Sequence, residues 1–199
     1  MQHQTQLKTK FQEWGQNEEL KSAVVKLEQD QHLCPLAIKT NIIIIIFYII
    51  IIMNTLSNID IINIINKYDL NYCFGGVYSK DKLPLLKPNT FYIINLENHN
   101  KGPGTHWTAF YYNTIKSIYF DPFGFVAPLV VQNKIKPYIY NDDEIQNIDT
   151  SSCGFYCIGF IKFLHDKANK YNAFNSFVHI FKLDTLKNEK VLYQILYRN

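Results

Sequence analysis

From residue 53 onward the sequence predicts an α+β domain, and three features predict it. Short apolar runs rich in Ile, Tyr, Phe and Thr, such as "TFYIINLE" (90–97), "THWTAFYYN" (105–113) and "SIYFD" (117–121), have strand length and strand composition. Gly, Pro and Asn punctuate the stretches between them. One longer segment, Cys153 to about Asp166, is apolar on nearly every side until Lys162 and reads as a helix enclosed in a core.

The elements follow in order. Ser57 is placed to cap a short helix, with Asp60 in a capping-box position and Ile61, Ile62 and Ile65 along one face. "FGGVYSKDKLP" (74–84) carries the punctuation of a loop. "TFYIINLE" is a mostly buried strand, and 98–104, with Lys101, Gly102 and Pro103, is a turn-rich connection. The next two runs form a hairpin around 113–116, and "PYIY" (137–140) is a further short strand. Gly159 inside the apolar helix costs about 1 kcal/mol relative to Ala, which implies a closely packed neighbour. The last helix is read over 184–197, capped by Asp184.

Upstream, residues 1–52 read as an extension. Phe11 to Asp30 has Glu and Lys at helical spacing, and Ile42 to Met53 is an unbroken apolar run containing nine isoleucines. That run is short of the roughly 20 residues a spanning helix needs and lacks the layout of a signal peptide. Upstream translation with the true start at Met53 is one reading of it, and an expressed extension is the other.

Composition narrows the function. The chain has 199 residues, 47% of them hydrophobic and 15% aromatic, enough for one sizeable core without staples. Its net charge of +3 comes from scattered lysines, which argues against a dedicated polyanion surface. Four cysteines at irregular spacing do not make a disulfide framework, so a reducing compartment is expected. Cys157, one turn beyond Cys153, has no further ligand at metal spacing, so packing is its expected role; no metal or cofactor is expected. His165 and His179 are read as surface residues. No membrane association is expected, and the chain is taken as a monomer.

Four residues stand out by where they fall. His106 opens one predicted strand, Asp121 ends the next, and Cys153 begins the buried helix after a loop that holds Gln146. Ends of rigid elements are where a scaffold presents reactive groups. A thiol at a helix N-terminus beside an imidazolium ionises readily and becomes a nucleophile. His106 then serves as general acid, Asp121 orients its ring, and Gln146 with the Cys153 backbone N–H supplies oxyanion donors.

"GTHWTAF", "YFDPFGF" and Gln146 seven positions before Cys153-Gly154, in that order, resemble the adenovirus endopeptidase family. They are similar also to its relatives in virophages and Polinton or Maverick elements, and to the wider clan of SUMO-specific proteases. An upstream pattern of Phe74, Gly76, Tyr78 and Lys80 recurs as well. The resemblance covers roughly Met53 to the end of the Cys153 helix. It implies a permuted papain-like fold, a small mixed sheet packed on a buried nucleophile helix, with catalytic His106, Asp121, Gln146 and Cys153. Substrate would contact Trp107, Gly76 and Gly154, and a narrow passage at Trp107 would favour glycine, whose backbone alone fits a tight constriction. The implied substrates are capsid or core precursor polypeptides, cut at small Gly-containing motifs in the virion or the host cell. Asp121 stands where adenovirus enzymes usually have Glu. No cysteine lies between Asp121 and Cys153, so a disulfide-linked activating peptide has no attachment point here, and stimulation by DNA is left open. Two alternatives stand beside this reading: a deconjugase of a ubiquitin-like modifier, and a non-catalytic virion component.

Overall fold

Strands of alternating side chains covered on both faces organise the domain. In a computed structural model of the chain, residues 55–102 and 104–197 are described. They belong to one unit that spans Tyr48–Asn199. The expectations for residues 1–54, including the apolar run, the upstream helix and the start at Met53, lie outside the described residues.

Helix α1 (Asn58–Lys67) opens the described chain, and β1 (Phe74–Ser79), β2 (Thr90–Asn95), β3 (Trp107–Tyr112) and β4 (Ser117–Phe120) follow. Helix α2 (Leu129–Ile135) then leads to β5 (Tyr138–Tyr140), and α3 (Cys153–Leu164), α4 (Lys170–His179) and α5 (Asn188–Tyr197) complete the order. The five strands form one mixed sheet in sequence order. β1 and β2 are parallel, β2–β3 and β3–β4 antiparallel, and β4–β5 parallel, with α2 making the last crossover.

Phe91, Ile93, Ala109, Tyr111, Ile118 and Phe120 face the larger core with α1, α3, α4 and α5. Tyr92, Ile94, Phe110 and Tyr119 face the smaller one, closed by Val131 and Ile135 of α2 and by Leu83. Helices on both faces explain why these strands read as continuous apolar runs rather than as a polar–apolar alternation. α3 lies against the middle of the sheet: Phe160 stacks on Phe120 at 5.3 Å between ring centroids and meets Phe91 edge-on at 5.8 Å. The expected close neighbour of Gly159 is Leu192 of α5, whose Cδ1 would stand 2.9 Å from an added Cβ.

Several expectations need correction. The segment from Phe74 is not loop throughout: its first six residues are edge strand β1. Its glycines mark close approach rather than chain reversal, since a Cβ on Gly75 would lie 2.2 Å from the Tyr92 ring. Ser57 and Asp60 do form the capping box, and Ile61 and Ile65 are buried, but Ile62 is exposed. Positions i and i+4 set the buried face, and i+1 falls 100° away from it. Asp184 does not cap α5; it pairs with Lys187 ahead of a 3-10 turn over Thr185–Lys187, and α5 starts at Asn188. α2 and α4 were not anticipated. His179 is exposed, while His165 is half-buried with Nδ1 on the Lys162 carbonyl oxygen at 2.7 Å.

Candidate active site

Three chain reversals bring the site together. His106 directly precedes β3, and the connection that delivers it is pinned to the end of β2. Asn95 Oδ1 accepts from the N–H groups of Glu97 and Thr105, Glu97 Oε2 accepts from Gly104 N–H, and Leu96 N–H donates to the His106 carbonyl oxygen. Asp121 directly follows β4 in a turn closed by Gly124 N–H on the Asp121 carbonyl oxygen at 2.9 Å. Gly124 has φ +76°, and a Cβ there would meet the Asp143 backbone at 2.8 Å, so the turn requires glycine. The backbone N–H groups of Ile145 and Gln146 both donate to the Pro122 carbonyl oxygen at 2.9 Å, which ties the Gln146 loop to the Asp121 turn. Cys153 is the first residue of α3.

His106 Nε2 lies 2.8 Å from Asp121 Oδ1, and its ring stacks on Phe123 with centroids 4.6 Å apart. Asp121 is fully buried, and its Oδ1 also accepts from Phe123 N–H at 2.8 Å. Asn141 fixes it further by accepting from Asp121 N–H at 3.1 Å and donating to its carbonyl oxygen at 2.7 Å. Cys153 is the second group that acts on the same imidazole, raising its pKa alongside Asp121. With Nε2 on the carboxylate, Nδ1 is the nitrogen left for sulfur.

Burial works against charge on His106, but the hydrogen bonds to Asp121 and Cys153 and the charges of both outweigh it, raising its pKa from 6.5 to about 9. The imidazolium is therefore the resident form at neutral pH. Cys157, fully buried one turn deeper, has its thiol pushed well above the ordinary value, first by burial and then by Cys153 and Asp121. It stays a neutral thiol and packs, as expected. Cys73, Cys153 and Cys157 are all free.

Gln146 is fully buried. Its Nε2 donates to the Thr150 carbonyl oxygen at 2.8 Å and reaches Thr150 Oγ1 at 3.1 Å, and its Oε1 is buried without a partner. Both contacts of the amide nitrogen are thus to Thr150, and the amide carries two protons. Trp107 walls a cleft of about 260 Å³ together with Val77, Tyr78, Ser79, Asn95 and Glu97. Its indole N–H is held by the Leu56 carbonyl oxygen at 2.8 Å. Gly154 lies beneath that arrangement: an added Cβ would stand 3.1 Å from Leu56 Cδ1 and 3.3 Å from Trp107 Cδ1. Gly76 sits on β1 with φ +125° under the Tyr78 ring and is not among the residues that line the cleft.

Sequence reading singled out the four site residues but missed those that hold their loops, namely Asn95 and Asn141. Polar residues in loops and at helix ends carry no sequence signal that separates a buried anchor from a solvated turn. Among the described residues, no group of three or more His, Cys, Asp or Glu is arranged to hold a metal, and no helix is long and apolar enough to cross a membrane. Compared with models of known protein families and with curated proteins, the chain matches none.

Proposed function

We propose that this chain is a cysteine endopeptidase of the adenovirus-endopeptidase type, which cuts polypeptides at small Gly-containing motifs and matures capsid or core precursors. One observation carries the reading. An imidazole held by a buried carboxylate through Nε2 is influenced also by a thiol at the N-terminus of a buried helix, and the two partners together favour the charged imidazole.

Cys153 sulfur, as thiolate, attacks the scissile carbonyl carbon, and the carbonyl electron pair moves onto oxygen. The Cys153 backbone N–H and the Gln146 amide, turned from Thr150 toward the substrate, stabilise that oxyanion. As it collapses, the C–N bond breaks and His106 gives its proton to the leaving amine, which departs and leaves a thioester. Neutral His106 then takes a proton from water, the hydroxide adds to the thioester carbonyl, and the acid product leaves as the thiolate and imidazolium are restored. Asp121 holds the ring in register throughout and does not change its own protonation. The mixed sheet packed on the α3 core supports the permuted papain-like reading of the fold.

The test is cleavage of extended peptides and capsid precursors that carry glycine beside the scissile bond, run against fusions to a ubiquitin-like modifier. Turnover of the peptides that vanishes in Cys153→Ala supports the reading. Exclusive cleavage of the fusions makes the chain a deconjugase, and no labelling by a thiol-reactive peptide probe makes it non-catalytic.

A further inference from the structure

Glu189, in the first turn of α5, is 2% exposed, and the mechanism does not use it. Burying a carboxylate is costly unless it gathers hydrogen bonds. Glu189 Oε1 accepts from Ser152 Oγ at 2.6 Å and lies 3.2 Å from Thr150 Oγ1. Burial, partly offset by these bonds, raises its pKa above the ordinary glutamate value.

The two hydroxyls it contacts lie just ahead of the nucleophile in the chain. Ser152 immediately precedes Cys153 and is fully buried, and its side chain makes no cap bond to α3. Its hydroxyl is turned instead onto Glu189. Thr150 carries the second link. Its Oγ1 shares one proton between the Asn147 carbonyl oxygen at 2.8 Å and Glu189 Oε1 at 3.2 Å, lies 3.1 Å from Ser152 Oγ, and accepts from Gln146 Nε2 at 3.1 Å. One carboxylate thus reaches both proposed oxyanion donors, the Gln146 amide through Thr150 and the Cys153 N–H through Ser152. Asn188, its neighbour, ties the same helix start to the loop by donating to the Ile145 carbonyl oxygen at 2.8 Å.

We propose that Glu189 is a positioning residue that fixes the Gln146–Cys153 segment, and with it the oxyanion donors, through Thr150 and Ser152. The catalytic consequence rests on the protease reading; the positioning itself does not.

The full chain is labelled with 15N-glutamine, and the Gln146 side-chain amide is assigned by its loss in Gln146→Asn. In Glu189→Ala this amide is expected to move toward solvent-like shifts. Peptide turnover is expected to fall in kcat by about 100-fold with little change in KM, the scale of an ångström-sized misplacement of a reacting group. Glu189→Gln keeps an acceptor oxygen for the hydroxyls and is expected to restore the amide position and most of kcat. Thr150→Val, which removes only the linking hydroxyl, serves where Glu189→Ala fails to fold, with the same expected losses. An unmoved amide with unchanged kcat in a folded Glu189→Ala or Thr150→Val protein overturns the proposal, as does a folded Glu189→Gln protein no better than alanine. If the unmodified chain cuts no peptide, the protease reading has failed, and the amide shift alone decides the positioning.

Discussion

Replacing Asp121 by Asn removes one charge while keeping shape and an acceptor oxygen for Phe123 N–H and His106 Nε2. The His106 pKa, raised from 6.5 to about 9, reflects Asp121 and Cys153 prevailing over burial. At roughly 1.4 kcal/mol per unit that rise is worth about 3 kcal/mol, and the His106 side chain is only 12% exposed, so solvent screening takes little of it. The folded-state value lies above the unfolded one. The stabilisation is therefore complete below pH 6.5 and is lost as pH climbs to about 9. With Asn at 121, burial is opposed by Cys153 alone, so His106 is expected to titrate at or below the ordinary value of about 6.5. The assay follows the His106 Cε1–H resonance through a pH titration of both proteins, alongside urea unfolding at pH 6 and pH 9.5. The unmodified chain should titrate near 9 and lose stability across the window, and the Asn variant should do neither. A variant that titrates with the unmodified chain would refute the assignment of the shift to the carboxylate.

Cys153→Ala and His106→Ala should each lower kcat by about 10⁴-fold or more with the circular dichroism of the folded chain retained; Tm should stay close to that of the unmodified chain for Cys153→Ala and fall by several degrees for His106→Ala, which forfeits the partnership with buried Asp121. Gln146→Ala should cost about 10²- to 10³-fold in kcat, the usual loss for one oxyanion donor, measured on the same peptide. Activity should fall on the alkaline side near pH 9, where His106 loses the proton it gives to the leaving amine; a flat profile to pH 10 would contradict that role. Gly75→Ala should destabilise by about 1–3 kcal/mol through overpacking against Tyr92, read as a Tm lowered by several degrees.

Much of this architecture was legible because apolar runs register burial on both faces. β2, β3, β4 and α3 are such runs, and the site residues fall at their ends, so locating the strands located His106, Asp121 and Cys153. β1 was not legible as strand: its two glycines carry the turn signal, and only the Tyr92 ring packed on Gly75 shows why they sit in a sheet. α2 and α4 were missed because their buried positions, Val131 and Ile135 in one and Ala173, Phe174 and Phe177 in the other, are few and set among exposed residues. α4 does carry a start signal, since Asn169 accepts from the Tyr171 and Asn172 N–H groups. Asn141 and Glu189 escaped notice because a buried anchor is defined by a partner 20 to 39 positions away, as in Asp121 to Asn141 and Thr150 to Glu189, which no local pattern encodes.

Competitive alkylation with iodoacetamide at neutral pH, with each cysteine followed by mass spectrometry, tests the partnership of sulfur and imidazole most directly. Cys153 should react far ahead of Cys157 and Cys73 in the folded chain, and His106→Ala should abolish that lead. Labelling of Cys153 that is no faster than that of the packed cysteines, or that ignores the loss of His106, would contradict the account.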